Sequence, residues 1–192
     1  MELVFATNNE NKIKEINALL TNSIKILSLK DIGCHEGIPE TADTIKGNAI
    51  LKAKYVYEKY GYDCFADDTG LEIKSLNDEP GVFSARYAGE EKNADKNMNK
   101  VLQKLALYSD RTAQFKTVVA LVINGETSTF EGIVEGEITS NKHGKNGFGY
   151  DPIFKPNGYK ITFAEMPLSE KNKISHRGRA VKKLIDFLNS TK

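Results

Sequence analysis

The chain has 192 residues, of which 40% are hydrophobic and 28% are charged, and its formal net charge at pH 7 is +1. This length suits a single domain over residues 1–192, with either one substantial core or two lobes that share a sheet. The near-neutral charge argues against a surface that neutralises many phosphates along a nucleic acid, and the short apolar runs and the absence of a basic leader predict a cytoplasmic protein rather than a membrane protein.

Hydrophobic periodicity predicts a strand–helix–strand opening to the chain. Residues 3–6 form an apolar run bounded by polar residues, which indicates a buried strand, and a helix follows from about residue 12. After a short turn, residues 24–27 are predicted to form a second strand. Residues 44–60 carry apolar side chains at helical spacing, which predicts a longer helix.

The rest of the chain predicts further strands and helices in alternation. In chain order these are strands at 63–66 and 71–73, a turn at 77–81, a helix at 94–107, strands at 113–123 and 127–138 around Asn124-Gly125, and a final helix with an apolar stripe from 180 to 188. An antiparallel hairpin flanked by strand–helix alternation predicts an α/β fold with a mixed sheet. Cys34 and Cys64 lack the spacing of a zinc site and are expected to be buried, reduced thiols.

The most distinctive segment is Ala66-Asp67-Asp68-Thr69-Gly70, in which two adjacent carboxylates follow an apolar run. Because neighbouring carboxylates repel each other, such a pair is tolerated most easily beside a hard cation or a transferable proton. The segment therefore predicts either a metal site at a strand end or a solvated turn, since Asp and Gly also favour turns.

Two other polar segments lie near predicted helix starts. Loop 7–12 supplies a hydroxyl, carboxamides and the Lys12 ammonium where unpaired backbone N–H groups favour anions, which indicates either a phosphate cradle or ordinary capping. Glu40 precedes the second helix, and Asn48 and Lys52 lie four residues apart on one edge of that helix. These residues offer a third carboxylate and a cation, or a capping contribution and a lysine that reaches water.

Two later segments carry groups suited to a nucleobase. In segment 146–152, Phe148 lies between two glycines and could stack on a base, or pack into the core from a tight turn. Segment 170–179 brings lysine, histidine and arginine donors before the last helix. Such donors can read a carbonyl oxygen on a purine edge, or can form a solvated helix start.

Seven motifs follow one another along nearly the whole chain. They are Ala6-Thr7-Asn8 with Asn11-Lys12, Pro39-Glu40-Thr41, Asn48-Ala49 with Lys52-Ala53, Ala66 to Leu71, Pro80 to Gly89, Gly147 to Pro152, and Ser175 to Gly178. Together they resemble the inosine/xanthosine triphosphate pyrophosphatase family. The resemblance implies an elongated mixed β-sheet with helices that form two lobes around a central substrate cleft, and a homodimer. It also implies Mg²⁺-dependent hydrolysis of ITP, dITP and XTP to nucleoside monophosphate and pyrophosphate.

Carried over position by position, the resemblance assigns the site residues. Triphosphate contacts fall on Thr7, Asn8, Asn11, Lys12 and Lys52, with Asn48 as a further substrate-binding residue. Mg²⁺ falls on Glu40 and Asp68. Asp68 is also the proton acceptor, with Asp67 as the alternative catalytic carboxylate. The nucleoside side falls on Thr69, Phe148, Gly149, Tyr150, Asp151, Lys171, His176 and Arg177.

Two alternatives stay open. A pyrophosphatase for other modified nucleotides, as in the structurally related septum-inhibitor family, would share the reaction. A non-catalytic nucleotide sensor or RNA-binding module would use the same basic loops, but it would have little need of Glu40 and Asp68 together. Hypoxanthine and xanthine carry a 6-oxo group where adenine has an amino group, so donors from His176 or Arg177 would favour the 6-oxo bases. Arg86 has no assigned role.

Overall fold

The computed structural model describes residues 1–20 and 24–190 of the chain. Its strands are β1 (Glu2–Phe5), β2 (Lys25–Leu27), β3 (Cys64–Ile73), β4 (Thr112–Ile123), β5 (Glu126–Ile138) and β6 (Phe154–Pro156). Its α-helices are α1 (Glu10–Asn17), α2 (Ile45–Tyr60), α3 (Ala94–Leu105), α4 (Leu168–Ile174) and α5 (His176–Ser190). Among the described residues, no helix is both long and apolar enough to cross a membrane.

The strands form one mixed sheet with the order β2-β1-β3-β4-β5-β6. Strand β1 runs parallel to both β2 and β3, whereas β5 and β6 are antiparallel. Asn124 and Gly125, both with positive φ, join β4 to β5 in the two-residue turn that a tight hairpin requires. The predicted α/β class with a mixed sheet is confirmed.

The chain divides into two compact units. The first unit comprises Met1–Asp68, Thr117–Gly132 and Arg177–Lys192, and the second comprises Thr69–Lys116 and Ile133–His176. Strands β3, β4 and β5 each contribute residues to both units. The number of domains stays a prediction.

The first unit has an apolar cluster on each face of its strands. Alternate residues of a strand point to opposite faces, so Val4 of β1 joins a cluster with α2 while Phe5 joins a cluster with α1 and α5. In β3, Ala66 likewise belongs to the α2 face and Phe65 to the α1 and α5 face. The same alternation places the side chains of the next two residues of β3, Asp67 and Asp68, on opposite faces of the strand.

The second unit has a core of its own, built on the far end of β3. Leu71 and Ile73 belong to a cluster with the apolar face of α3 and with the rings of Phe115, Phe154 and Phe163. The three phenylalanine rings lie within 6.2 Å of one another by centroid, a spacing at which aromatic pairs attract beyond simple burial.

Several predicted boundaries differ from the structure. The largest difference is at residues 67–70, which form no turn or strand end, because β3 continues without a break from Cys64 to Ile73. Both aspartates keep an extended backbone since their side chains bind lysine and arginine rather than turning to water. Helix α1 begins at Glu10 and ends at Asn17, and α3 ends at Leu105, both earlier than their patterns suggested.

Other details agree with expectation or were missed. Positive φ values at Asn77, Asp78 and Gly81 confirm the chain reversal there. Cys34 and Cys64 are free and buried, as predicted. The three-residue strand β6 and the seven-residue helix α4 were not predicted, since both are too short to show a hydrophobic period. The short turn predicted before β2 lies in residues 21–23, outside the described part of the chain.

Candidate active site

The loop between β1 and α1 is organised by its own side chains. Asn9 caps the helix: its Oδ1 accepts hydrogen bonds from the backbone N–H of Asn11 at 3.0 Å and of Lys12 at 3.2 Å. Thr7 Oγ1 accepts from Asn9 N–H at 3.2 Å. The cap pairs two of the donors that a helix start leaves open, while the side chains of Asn8 and Asn11 are exposed.

Asp67 points to the α1 and α5 face, where two cations bind its carboxylate. Lys12 Nζ lies 3.0 Å from Oδ1, and Arg177 Nε lies 3.1 Å from Oδ2. The Asp67 side chain is fully buried. Burial alone would raise its pKa, but Lys12 and Arg177 outweigh that cost and hold the pKa well below its ordinary value. Asp67 is therefore an ionised carboxylate with both oxygens engaged.

Arg177 joins this group to a second carboxylate. Its guanidinium binds Glu15 of α1 as well as Asp67, and its side chain is only 2% exposed. The resemblance assigned Arg177 to the nucleoside side, whereas these contacts join it to carboxylates of the first unit. Glu15 was not a predicted site residue; its one signal in the sequence is its place three residues after Lys12, on the same side of a helix.

Asp68 points to the opposite face of β3, towards α2. Lys52 Nζ of α2 lies 3.2 Å from Asp68 Oδ1 and 2.7 Å from Glu40 Oε1, so one ammonium joins two carboxylates. Asn48 Oδ1 accepts from the N–H of Ala42 at 2.9 Å, which ties the segment after Glu40 to α2. The structure thus brings together Glu40, Asn48, Lys52 and Asp68, which lie in separate motifs.

The pKa of Asp68 shifts in the direction opposite to that of its neighbour. Burial raises the pKa of Asp68, and the nearby charges of Glu40 and Asp67 add to the rise, while Lys52 and Lys12 oppose it. The pKa of Lys52 is raised despite its burial because Asp68 and Glu40 face it. Asp68 keeps 13% of its side chain exposed, compared with none for Asp67. Asp68 is thus the more basic and more accessible carboxylate.

The donor set of this group fits a hard divalent cation that a substrate would help to coordinate. Among residues 1–20 and 24–190, no three His, Cys, Asp or Glu side chains cluster as a complete metal cage. Mg²⁺, however, usually binds through one or two carboxylates together with water and substrate phosphates. Glu40 and Asp68 converge on a single ammonium and supply such a pair.

In the second unit, a tight loop carries Phe148 and Asp151. Asp151 Oδ2 accepts from Phe148 N–H at 2.9 Å and lies 2.5 Å from Lys171 Nζ. Gly147 has φ +72°, and a Cβ at this position would lie 2.0 Å from that same carboxylate oxygen. Glycine is therefore required here, both for the backbone conformation and for the approach of Asp151.

Aromatic rings surround the buried Lys171–Asp151 pair. Lys171 Nζ lies 5.2 Å from the ring centroid of Phe148 and 5.5 Å from that of Phe163, within the range of cation–π attraction. His176 is buried, and its ring stacks on Phe115 with centroids 4.5 Å apart. The Phe163 ring also lies 6.3 Å from that of His176 by centroid. Through Phe163, the structure links four of the residues predicted for the nucleoside side, namely Phe148, Asp151, Lys171 and His176.

The other predicted nucleoside residues occupy different environments. Thr69 is half-buried on β3. Gly149 has φ +63° and open space where a Cβ would stand. Tyr150 is buried, and its hydroxyl donates to the carbonyl of Ser84 at 2.7 Å. Sequence reasoning missed Ser84, since a serine inside an unassigned motif carries no signal of its own.

Fold and site together define an α/β protein with a buried acidic and basic group beside a helix N-terminus, the type of site that binds phosphates. A family model described as the Ham1 family matches residues 3–187. The dITP/XTP pyrophosphatase of Flavobacterium johnsoniae is 65% identical over 192 residues, the whole of both chains. The dITP/XTP pyrophosphatase of Flavobacterium psychrophilum is 64% identical over 97% of this chain and 98% of its own.

Solved structures agree with these matches. The structure of the Staphylococcus aureus Ham1 protein superposes with a TM-score of 0.91 at 39% identity, covering all of both chains. This chain belongs to the Ham1 family.

Proposed function

We propose that this protein hydrolyses the deaminated purine nucleotides ITP, dITP and XTP to the nucleoside monophosphate and pyrophosphate, which clears them from the nucleotide pool. The observation that carries the proposal is the pair of adjacent aspartates on opposite faces of β3, each of which forms an ion pair with a different lysine. The names of the two Flavobacterium relatives, both dITP/XTP pyrophosphatases, support the choice of substrate.

The first unit would bind the triphosphate. Lys12 and Lys52 supply positive charge, and the α1 N-terminus, with the side chains of Thr7, Asn8 and Asn11 around it, favours anions. Splitting the bond between the α and β phosphates leaves extra negative charge on the pyrophosphate, and preorganised lysines stabilise that charge. Asn48 would hold the segment after Glu40 in place, because its side chain accepts a hydrogen bond from the N–H of Ala42.

Glu40 and Asp68 would hold Mg²⁺ together with phosphate oxygens of the substrate. When bound, the ion would neutralise charge on the leaving pyrophosphate. Glu40 Oε1 and Asp68 Oδ1 both accept from Lys52 Nζ, so this ammonium lies at the place where the ion would have to bind. Lys52 would therefore turn towards the phosphates when the substrate enters.

Asp68 would orient the attacking water and accept its proton. Its side chain is 13% exposed, so water can reach it, whereas the Asp67 side chain is fully buried. Asp67 would instead hold Lys12 in place, because two cations keep its carboxylate ionised and both of its oxygens occupied.

The second unit would bind the nucleoside. Phe148 offers a ring for stacking on the base, and the segment around Thr69, Gly149 and Tyr150 would shape its surroundings. Lys171 and His176 are donors suited to the 6-oxo group, which adenine lacks; a buried polar contact of this kind can discriminate by roughly 10⁴. The nucleoside role of Arg177 stays a prediction, since its guanidinium contacts Glu15 and Asp67.

A product assay with ITP and Mg²⁺ tests the proposal. We expect IMP and pyrophosphate in equal amounts, no direct release of orthophosphate, loss of turnover in EDTA, and much slower reaction with ATP. Release of orthophosphate from ITP would contradict the proposed reaction. Preferential turnover of dTTP or modified pyrimidine triphosphates would indicate the other class of pyrophosphatase, and ITP binding without turnover would indicate a sensor.

We also propose that the enzyme is a cytoplasmic homodimer, as the family resemblance implies. Light scattering on the purified full chain would give twice the chain mass of 21.4 kDa. A mass of one chain at micromolar concentration would contradict the dimer. Fractionation of cells that express the tagged chain would test the compartment.

A further inference from the structure

The motif from Pro80 to Gly89 has no role in the proposed chemistry, yet it contains a buried polar centre. Ser84 is 7% exposed and lies inside the second unit. Its Oγ accepts from the N–H of Leu71 on β3 at 2.9 Å and donates to the carbonyl of Gly81 at 2.6 Å. These two bonds fix the backbone of Ser84 against the strand that also carries Thr69.

The fixed backbone of Ser84 in turn holds Tyr150. The Tyr150 hydroxyl donates to the Ser84 carbonyl at 2.7 Å, and the ring packs in the apolar core of the second unit. Tyr150 lies inside the short loop that begins at Gly147 and ends at Asp151. The phenol is thus directed into the core rather than towards a substrate. Tyr150 therefore fixes its loop to the core of the second unit.

Asn97 of α3 also binds the backbone around Ser84, including the Ser84 carbonyl that accepts from Tyr150. Its Nδ2 donates to the carbonyl of Ala85 at 2.9 Å and, more weakly, to that of Ser84 at 3.4 Å. Its Oδ1 accepts from the N–H of Ala88 at 2.7 Å. The buried carboxamide therefore pairs backbone groups on both sides of the segment, where unpaired ones would be costly.

We propose that Ser84 and Asn97 are positioning residues for the nucleoside end of the substrate, acting through the hydroxyl of Tyr150 on the loop that carries Phe148 and Asp151. This inference rests on the proposed function, because it assigns a task within the same site. The expected signature is a loss of affinity for the nucleoside with little change in the chemical step. The carboxylates and lysines of the first unit take no part in these hydrogen bonds.

Tyr150→Phe is the most direct test, since it removes one hydroxyl and leaves the ring in the core. We expect the KM for ITP and the inhibition constant of IMP to rise by about three- to tenfold, the worth of one ordinary hydrogen bond. The kcat and the inhibition constant of inorganic tripolyphosphate, which has no nucleoside, should stay within about twofold. Tyr87→Phe is the matched control, because its hydroxyl donates to the exposed Glu79.

Each outcome of this comparison bears on the proposal. Equal constants in Tyr150→Phe and Tyr87→Phe would overturn it, and so would an equal loss for IMP and tripolyphosphate, which would indicate a general structural role. Failure of the wild type to hydrolyse ITP would instead overturn the proposed function. The two failures are therefore distinguishable.

Asn97→Ala tests whether the amide acts through Tyr150. If it does, the rise in KM for the double variant should be smaller than the product of the two single rises, because both changes loosen one loop. A rise equal to the product would overturn the role assigned to Asn97. If Asn97→Ala does not fold, Asn97→Ser replaces it in the same cycle, and Tyr150→Phe still tests the Ser84 contact.

Discussion

The charged group of the first unit and the nucleoside group of the second are built on different physical principles. In the first, each cation serves more than one oxygen: Lys52 joins Glu40 to Asp68, and Arg177 joins Glu15 to Asp67. In the second, the buried Lys171–Asp151 pair lies among aromatic rings, and neutral hydrogen bonds hold the loop. Ion pairs therefore dominate the first group, whereas aromatic packing and hydrogen bonds to the backbone dominate the second.

The difference shows how adjacent residues of one type acquire distinct roles. Strand alternation sends Asp67 to one face and Asp68 to the other, so the two carboxylates meet different cations. Two cations lower the pKa of Asp67, while burial and carboxylate neighbours raise that of Asp68. Around Phe148 there is a buried ion pair, Lys171–Asp151, which lies among aromatic rings and binds the Phe148 N–H through its carboxylate.

The largest expected effect in the charged group comes from Asp68→Asn. The amide keeps the volume of the carboxylate but cannot accept the proton of water, so kcat for ITP should fall by about 10³-fold or more. The Tm should stay close to that of the wild type. Asp78→Asn, in an exposed turn, is the surface control. Turnover by Asp68→Asn at the wild-type rate would exclude Asp68 as the base.

Arg177→Met should chiefly reduce stability. Removing the guanidinium leaves Asp67 and Glu15 as buried carboxylates with a lost partner, and breaking a buried ion pair of this kind costs about 3–5 kcal/mol. Urea unfolding followed by circular dichroism measures the change. Adding Glu15→Gln to this variant should recover part of the loss, because one of the two buried charges is then removed. A further loss in the double variant would contradict this account of the pair.

Sequence patterns predicted the strands and helices that have long apolar runs, and they marked charged residues as candidates for the site. Strands β4 and β5 and the stripe of α5 have enough apolar residues to show their period. The continuity of β3 through its two aspartates was missed, since it depends on Lys12 and Arg177, which lie far away in sequence. Local propensity favours a turn there, and tertiary ion pairs override it.

The candidate site shows the same limit. Glu40, Lys52 and Asp68 carry charges, so their types alone marked them as candidates, and the structure brings them within hydrogen-bonding distance. Ser84 and Asn97 are neutral and common residue types. Their partners include backbone groups 12 and 13 residues away and the Tyr150 hydroxyl, 66 residues away from Ser84. A hydrogen bond to a distant backbone group leaves no mark in sequence, so such residues emerge only from the fold.

A smaller effect should follow from Gly147→Ala, which tests the nucleoside group. Both Gly147 and Gly158 have positive φ, so alanine at either position incurs about 1–2 kcal/mol of backbone strain. Only Gly147 also faces a clash, with Asp151, whereas nothing lies within 4 Å of a Cβ at Gly158. Gly147→Ala should therefore be less stable by at least about 1 kcal/mol more than Gly158→Ala. Its KM for ITP should rise several-fold while that of Gly158→Ala stays unchanged; equal behaviour would contradict the contact.

The smallest effect concerns an exposed counterpart of the buried ion pairs. Glu36 Oε1 accepts from Lys59 at 2.5 Å, Tyr60 at 2.6 Å and Tyr55 at 2.8 Å, and these bonds lower the pKa of Glu36. A carboxyl with a depressed folded-state pKa stabilises the protein above its unfolded pKa of about 4.3, and that contribution is lost as the pH falls through the folded value.

Glu36→Gln should therefore lower the Tm at pH 7 by about 1 °C or less, because water screens exposed pairs. Thermal melts from pH 7 down to pH 3 measure the difference from the wild type, with Glu58→Gln on the exposed side of α2 as the control. The difference should narrow as the pH falls below about 4, where the unfolded carboxyl takes up its proton. A difference that widens on acidification would show that Glu36 is stabilised by something other than these donors. Small effects at Glu36 and large ones at Arg177 would show that the cost of removing one partner of an ion pair depends on burial rather than on distance, since both sets of contacts are short.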